Sequence, residues 1–212
     1  KKKIFNKIHK IKPVPGRLEC LANLKNNSNI ILDFAHTPEA LEQSLSALKK
    51  QFKKKIILLF GCGGDRDQKK RFIMGKIANK YCRKVFITDD NPRNENPKMI
   101  RREILQGCKK IATEIGNRKI AIEKAIKQLD SNEILLVSGK GHETTQTYGK
   151  KNKNFSDKRV IKQIIKEKNF SSTKNLHPDL ILQKSLSKNN INYSGVSINT
   201  KTIKKNNLFF AI

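Results

Sequence analysis

Tryptophan is absent from this sequence of 212 residues, and aromatic residues of all kinds make up only 6% of it. A surface on which exposed bases stack needs aromatic side chains, so their scarcity counts against single-strand nucleic-acid binding. Acidic residues are few as well, 18 against 46 lysines and arginines, for a formal net charge of +28. Such an excess invites a polyanionic partner. Yet lysine outnumbers arginine, the lysines are scattered along the whole chain, and Ile, Asn and Lys are abundant together, as in a compositional bias. A basic α/β module that binds nucleic acid is therefore the alternative reading, and no nucleic-acid partner is expected. Four cysteines are present without a C-x-x-C pair or a histidine at zinc-ligand spacing. That pattern excludes the common structural zinc sites and predicts reduced thiols in a cytoplasmic protein. No apolar run reaches the roughly 18 residues of a membrane-spanning helix, so no membrane insertion is expected. Lys1-Lys2-Lys3-Ile4-Phe5 is basic but lacks the apolar core of a signal peptide, and with no initiator Met the chain is expected to be a segment of a longer protein.

What is present is a series of short apolar runs set between helical patterns. Asn29–Asp33, Lys55–Phe60, 85–88, 111–115 and 133–137 read as strands, the first two of them buried and the last apolar. Thr37-Pro38-Glu39 is a helix start, followed by Leu41, Leu45, Leu48 and Phe52 at helical spacing. A second helix is predicted over Lys69–Tyr81 with Phe72, Ile73, Ile77 and Tyr81 as its apolar face. Others follow from Asn96-Pro97 to about Gly107, from Asn117 to Leu129, and over 157–168. Strands alternating with helices predict an α/β fold, a Rossmann-like, mostly parallel sheet flanked by helices. Residues 1–10 read as a linker from an upstream domain, 11–168 as the α/β domain and 169–178 as a second linker. Residues 179–212, with a short helix at 179–186 and strands at 192–198 and 208–212, read as the truncated α+β start of another domain.

In parallel sheets of this kind ligands sit at the carboxyl ends of the strands. Here those ends carry polar turns: Asp33-Phe34-Ala35-His36, Gly61-Cys62-Gly63-Gly64-Asp65-Arg66-Asp67, Asp89-Asp90-Asn91-Pro92-Arg93, and Ser138-Gly139-Lys140-Gly141-His142-Glu143. The glycines of the second turn fit neither a G-x-x-x-x-G-K-[ST] phosphate loop nor a dinucleotide fingerprint. They let the backbone turn tightly so that Arg66 projects, although a plain surface ion pair with Asp65 or Asp67 would also suit that residue. Asp90, Asn91, Pro92 and Arg93 offer an acid, an amide, a rigid backbone and a guanidinium within four residues. Such a set suits a zwitterion, with Arg93 forked onto a carboxylate and Asp90 or Glu143 taking an ammonium. An ordinary Asx-Pro turn explains the same four residues without a ligand. His142-Glu143 lacks the second histidine of H-E-x-x-H, since Gln146 stands there, so zinc is not expected.

Five strings in order, Pro15-Gly16-Arg17-Leu18-Glu19, Asp33-Phe34-Ala35-His36-Thr37-Pro38, Gly61 to Asp67, Thr88 to Arg93 and Ser138 to Glu143, together resemble the C-terminal domain of Mur ligases, of the diaminopimelate-adding MurE type. These are ATP-dependent enzymes that add amino acids in peptidoglycan synthesis. The resemblance implies that Arg66, Asp90, Asn91, Pro92, Arg93, Gly139 and Glu143 bind the incoming amino acid, and that Arg17, Asp33 and His36 lie at the ATP side of the cleft. It implies a reaction in which ATP phosphorylates the carboxylate of a UDP-N-acetylmuramoyl dipeptide and the amine of the amino acid attacks the acyl phosphate. The D-N-P-R form implies meso-diaminopimelate rather than L-lysine. The family's phosphate loop and Mg²⁺ ligands belong to a central domain not present in this sequence, nor is the N-terminal domain that holds the UDP end, so the chain alone is expected to be inactive. Gln68-Lys69-Lys70-Arg71-Phe72 departs from the family's usual K-G-K-R-P. The stretches 193–201 and 208–212 resemble the opening of a MurF-like N-terminal domain, although Asn199-Thr200-Lys201 replaces the usual D-S-R, which suggests a fused pair of ligases.

Overall fold

The computed structural model describes residues 14–167 and, as backbone alone, two further strands; these two units are taken separately. The larger is built on a six-stranded sheet. Its strands are β1 (Glu19–Asn23), β2 (Asn29–Asp33), β3 (Lys55–Phe60), β4 (Lys84–Ile87), β5 (Ala112–Glu114) and β6 (Glu133–Ser138). Their spatial order is β1-β2-β6-β3-β4-β5, parallel throughout except for β1, which pairs antiparallel with β2 at one edge. Four helices connect them, α1 (Pro38–Phe52), α2 (Lys69–Tyr81), α3 (Pro97–Cys108) and α4 (Arg118–Lys127), and a fifth, α5 (Asp157–Glu167), closes the described part of the unit. A hairpin of β7 (Thr145–Tyr148) and β8 (Lys151–Asn154) stands apart from the sheet. The α/β class read from the sequence is the fold observed.

The strand period of two divides the apolar runs between the two faces of the sheet. Ile56, Leu58 and Phe60 face α1, α2 and α3, in a core with Leu41, Leu45, Met74, Ala78 and Ile104. Ile57 and Leu59 face α4 and α5, in a second core with Ala121, Ile122, Ile126 and Ile161. That double burial is why these strands read as unbroken apolar runs. Two helix starts are fixed by their caps: Thr37 Oγ1 accepts from Ala40 N at 3.2 Å and Asn117 Oδ1 from Ile120 N at 3.2 Å.

The face of α2 differs in part from the expectation: Ile77 and Tyr81 pack against the core as expected, but the first turn does not. Phe72 and Ile73 are 43% and 46% exposed, while Arg71, Met74, Gly75 and Ala78 are buried. The cause is a close helix crossing. A Cβ on Gly75 would lie 2.3 Å from Ile104 O, and one on Gly107 would lie 2.3 Å from Phe72 O. Two glycines bring the backbones of α2 and α3 together, and this turns the small-residue stripe inward and Phe72 outward. Phe72→Ser is therefore expected to change stability by less than about 0.5 kcal/mol, whereas Gly75→Val should cost about 1–3 kcal/mol through overpacking. Urea denaturation of the two variants measures both.

Strand β1 and the β7–β8 hairpin were not anticipated. In the smaller unit β9 (Gly195–Ser197) pairs parallel with β10 (Asn207–Phe209), overlapping two expected strands. The linkers at 1–10 and 169–178 and the helix at 179–186 lie outside the described residues. Among the described residues no helix is long and apolar enough to cross a membrane.

Candidate functional site

β2, β6, β3 and β4 run parallel, so their carboxyl-terminal loops meet on one rim. The glycine loop after β3 is seated on the turn after β4: Gly64 N donates to Asn91 O at 2.9 Å, and a Cβ at Gly64 would lie 1.8 Å from Pro92 O. No side chain could be carried there. Beneath the loop, Arg71 is fully buried and bridges Glu95 at 2.8 Å and Glu103 at 2.9 Å. Glu95 Oε1 also accepts from Asp65 N at 2.6 Å, which ties the loop to the turn from below.

Arg93 has φ 51, in the left-handed region that non-glycine residues enter at a cost of about 1–2 kcal/mol. The hairpin holds it there: Arg93 N donates to Thr147 O at 3.1 Å and Arg93 O accepts from Gly149 N at 2.6 Å. Its Nη1 donates to Gly64 O at 2.7 Å and lies 2.8 Å from where a Gly63 Cβ would be. Arg93 makes no ion pair among the described residues, so most of its donor fork is free. Arg66 is exposed, and its Nη1 donates to Asp65 O at 3.1 Å rather than to the Asp65 or Asp67 carboxylate. The plain ion pair that the sequence allowed is not formed. Its Cγ approaches Gly63 from the same loop that Arg93 touches, 3.9 Å from the position of a Cβ there.

Asn91 and Glu143 meet around a buried cation. Lys140 Nζ donates to Glu143 Oε2 at 2.8 Å and to Asn91 Oδ1 at 3.1 Å, and Asn91 Nδ2 donates to Glu143 Oε2 at 3.0 Å. Burial acts to raise the Glu143 carboxyl, but the hydrogen bonds from Lys140 and Asn91 outweigh it and hold the group below its ordinary value. Asp90 faces inward. Its Oδ1 accepts from Asn91 N at 2.8 Å, and its Oδ2 is 4.0 Å from Arg118 Nη1. A Cβ at Gly139 would stand 2.8 Å from that same Oδ2. Burial raises the Asp90 carboxyl against the pull of Arg118 and Lys140. The two acids therefore act oppositely on stability. Pairing of Glu143 stabilises the fold above the ordinary carboxylate range and is lost as pH falls through its depressed value. Asp90 favours the fold while protonated and stops doing so as pH rises through its raised value.

On the β2 side, Asp33 is buried with both oxygens engaged, Oδ1 by Leu18 N at 3.1 Å and Oδ2 by Ser44 Oγ at 2.6 Å. It fixes the loop that carries Arg17. The Arg17 guanidinium lies 4.6 Å over the Phe34 ring, which also meets the rings of His36 at 4.8 Å and His142 at 5.2 Å. Arg17 makes no ion pair among the described residues. An aromatic ring beside an unpaired guanidinium and two imidazoles fits the base and phosphates of a nucleotide. Among the described residues no group of three or more His, Cys, Asp or Glu could hold a metal ion.

Sequence reasoning thus located the four turns but missed what holds them. In the sequence Lys140 stands out only as part of a glycine string, and Arg118 carries no signal. Arg118 is buried, forks onto Asp157 with both bonds at 2.8 Å, and donates to Ser138 O at 2.9 Å. The hairpin adds Gln146 Nε2, which donates to Asp90 O at 2.8 Å, and Tyr148 OH, which donates to Asp89 at 2.9 Å. Apart from the Lys140–Glu143 pair, three residues apart, these contacts span twenty residues or more, and no local pattern signals them.

Comparison with known proteins gives a consistent result. The family described as "Mur ligase, glutamate ligase domain" matches residues 16–141. A UDP-N-acetylmuramoyl-L-alanyl-D-glutamate–2,6-diaminopimelate ligase of Rickettsia montanensis is 46% identical over 166 residues, covering 77% of this chain and 34% of that protein. The ligase of the same name from Buchnera aphidicola is 41% identical over 167 residues, 78% of this chain and 33% of that one. A solved structure of a ligase of this name superposes with a TM-score of 0.68 at 32% identity, over 77% of this chain and 34% of that chain. The chain thus spans about a third of the length of the relatives it matches.

Proposed function

The chain belongs to the Mur ligase family, and on that premise we propose that it is the amino-acid-binding part of an ATP-dependent ligase that adds meso-2,6-diaminopimelate to UDP-N-acetylmuramoyl-L-alanyl-D-glutamate. It would work in the cytoplasm with a central domain and an N-terminal domain, in peptidoglycan synthesis. The observation that carries this reading is Arg93: partly buried, held in left-handed backbone, braced on Gly64 O, and without a carboxylate partner among the described residues. A guanidinium so placed is costly unless a ligand supplies the anion. Diaminopimelate has a second carboxylate where lysine has none.

Arg93 and Arg66 take carboxylate oxygens, Glu143 takes an ammonium, and Asn91 donates its free amide hydrogen. Pro92, Gly139 and Asp90 shape the floor beneath them, with Asp90 acting through its buried contacts rather than at the rim. Arg17 and His36 contact ATP, and Asp33 holds the Arg17 loop in place. ATP supplies the phosphoryl group that activates the dipeptide's terminal carboxylate, and Mg²⁺ is held by the central domain. The chain's contribution to rate is positioning: the amine arrives oriented, with its carboxylate anchored.

The test is phosphate release by the full-length ligase containing this chain, given ATP, Mg²⁺ and the UDP-muramoyl dipeptide. Turnover is expected with meso-diaminopimelate and not with L-lysine. Turnover with lysine alone would keep the ligase and overturn the specificity. No turnover with either would overturn the assignment of activity.

A further inference from the structure

Lys140 has a side chain with 0% exposure, deeper than any residue assigned to the ligand, and its charge is not at the rim where it could touch one. Burying an ammonium is expensive unless each of its hydrogens is well used. Here two are used on side-chain oxygens of two residues assigned to the ligand, Asn91 Oδ1 and Glu143 Oε2. The consequence for Asn91 is a fixed orientation. Its Oδ1 receives Lys140 Nζ at 3.1 Å and Thr147 N at 3.0 Å, so both acceptor sites of that oxygen are filled by groups that can only donate. The amide cannot flip without facing those donors with its own NH₂. Nδ2 is therefore turned toward Glu143, and one of its hydrogens is left over.

Glu143 is oriented by the same device. Oε2 takes Lys140 at 2.8 Å and Asn91 at 3.0 Å, and no hydrogen bond from the described residues reaches Oε1. One carboxylate oxygen is consumed inside the protein, and the other is presented. The capacity left unused among the described residues then reads donor, donor, acceptor: the Arg93 guanidinium, the spare Asn91 hydrogen and Glu143 Oε1. That order matches a carboxylate and an ammonium carried on one carbon.

Resting on the ligase reading above, we propose that Lys140 is a positioning residue that determines specificity. Held between Asn91 and Glu143, it fixes which of their atoms face the acceptor substrate, and so makes the site read the distal amino-acid end of diaminopimelate. It acts through Asn91 and Glu143 and touches no substrate itself.

Steady-state kinetics of the full-length ligase test this with Lys140→Met, which keeps length and removes every donor. KM for diaminopimelate is expected to rise about 10- to 100-fold, the range for losing a charge-assisted hydrogen bond in such a site. KM for ATP and for the UDP-muramoyl dipeptide should each move less than about twofold, because uniform damage is not expected. In a Glu143→Gln background, Lys140→Met should add little further loss, since the two act as a unit. A variant that is less stable but keeps its KM for diaminopimelate would overturn the proposal, as a merely structural lysine behaves that way. Fully additive losses in the double variant would overturn it too. If Lys140→Met does not fold, Lys140→Gln carries the test. It keeps a donor without the charge, and KM for diaminopimelate should still rise, by less than the figure given for Met; an unchanged KM would overturn the proposal. If the unsubstituted enzyme does not turn over diaminopimelate at all, the ligase reading fails and this inference with it. If it does and the lysine variants keep their KM, only the inference fails.

Discussion

Replacing Arg93 with alanine is expected to lower kcat/KM for meso-diaminopimelate on the order of 10³-fold, from the loss of a pair of charge-assisted hydrogen bonds worth about 1.5–3 kcal/mol each. The fold should survive the change. Among the described residues the Arg93 side chain makes one hydrogen bond, to Gly64 O, and the left-handed backbone is held by Thr147 and Gly149 whatever the side chain. Thermal unfolding should therefore move little while the kinetics collapse. Arg93→Lys is not expected to restore activity, because a point charge cannot reproduce a planar fork. The measurement is the same phosphate-release assay with each acceptor. If any residual activity with L-lysine falls as far as that with diaminopimelate, Arg93 does not read the carboxylate that distinguishes them.

Asp157→Ala should be the most destabilising change in the domain. Arg118 and Asp157 both have side chains with no exposure, and their two bonds are each 2.8 Å. Removing one partner of a dry pair leaves an uncompensated charge, at a cost of about 3–5 kcal/mol. Melting should then fall by roughly 10 °C for a domain of this size. Arg118 also donates to Ser138 O, at the end of β6, and lies near Asp89 O and Asp90. The loss should thus loosen the rim as well as the join between α4 and α5. A double replacement, Arg118→Met with Asp157→Leu, should recover part of the stability by removing both charges. It should not recover all of it, because the Ser138 carbonyl loses its donor. A loss under about 1 kcal/mol for Asp157→Ala in chemical denaturation would mean that water reaches the pair.

The sequence by itself determined the five parallel strands and their alternation with helices along the chain. Ile56 to Phe60 and Ile134 to Val137 are apolar on both faces and have few alternatives to a central parallel strand. Thr37-Pro38 and Asn117 start helices through hydrogen bonds made within three residues, so local chemistry was enough. It also placed the candidate ligand residues on four turns that a parallel sheet must bring to one rim. Tertiary structure decided the rest. Which face of α2 is buried depends on Gly107 of another helix, and a hydrophobic count on α2 alone chose Phe72 wrongly. The free fork of Arg93 depends on a hairpin more than fifty residues away, and the direction of the Asn91 amide on Lys140 and Thr147. Periodicity and capping are local, so one sequence displays them. Close approach, pairing of buried charge and the orientation of an amide belong to residues far apart in the chain, and only the folded chain brings those together.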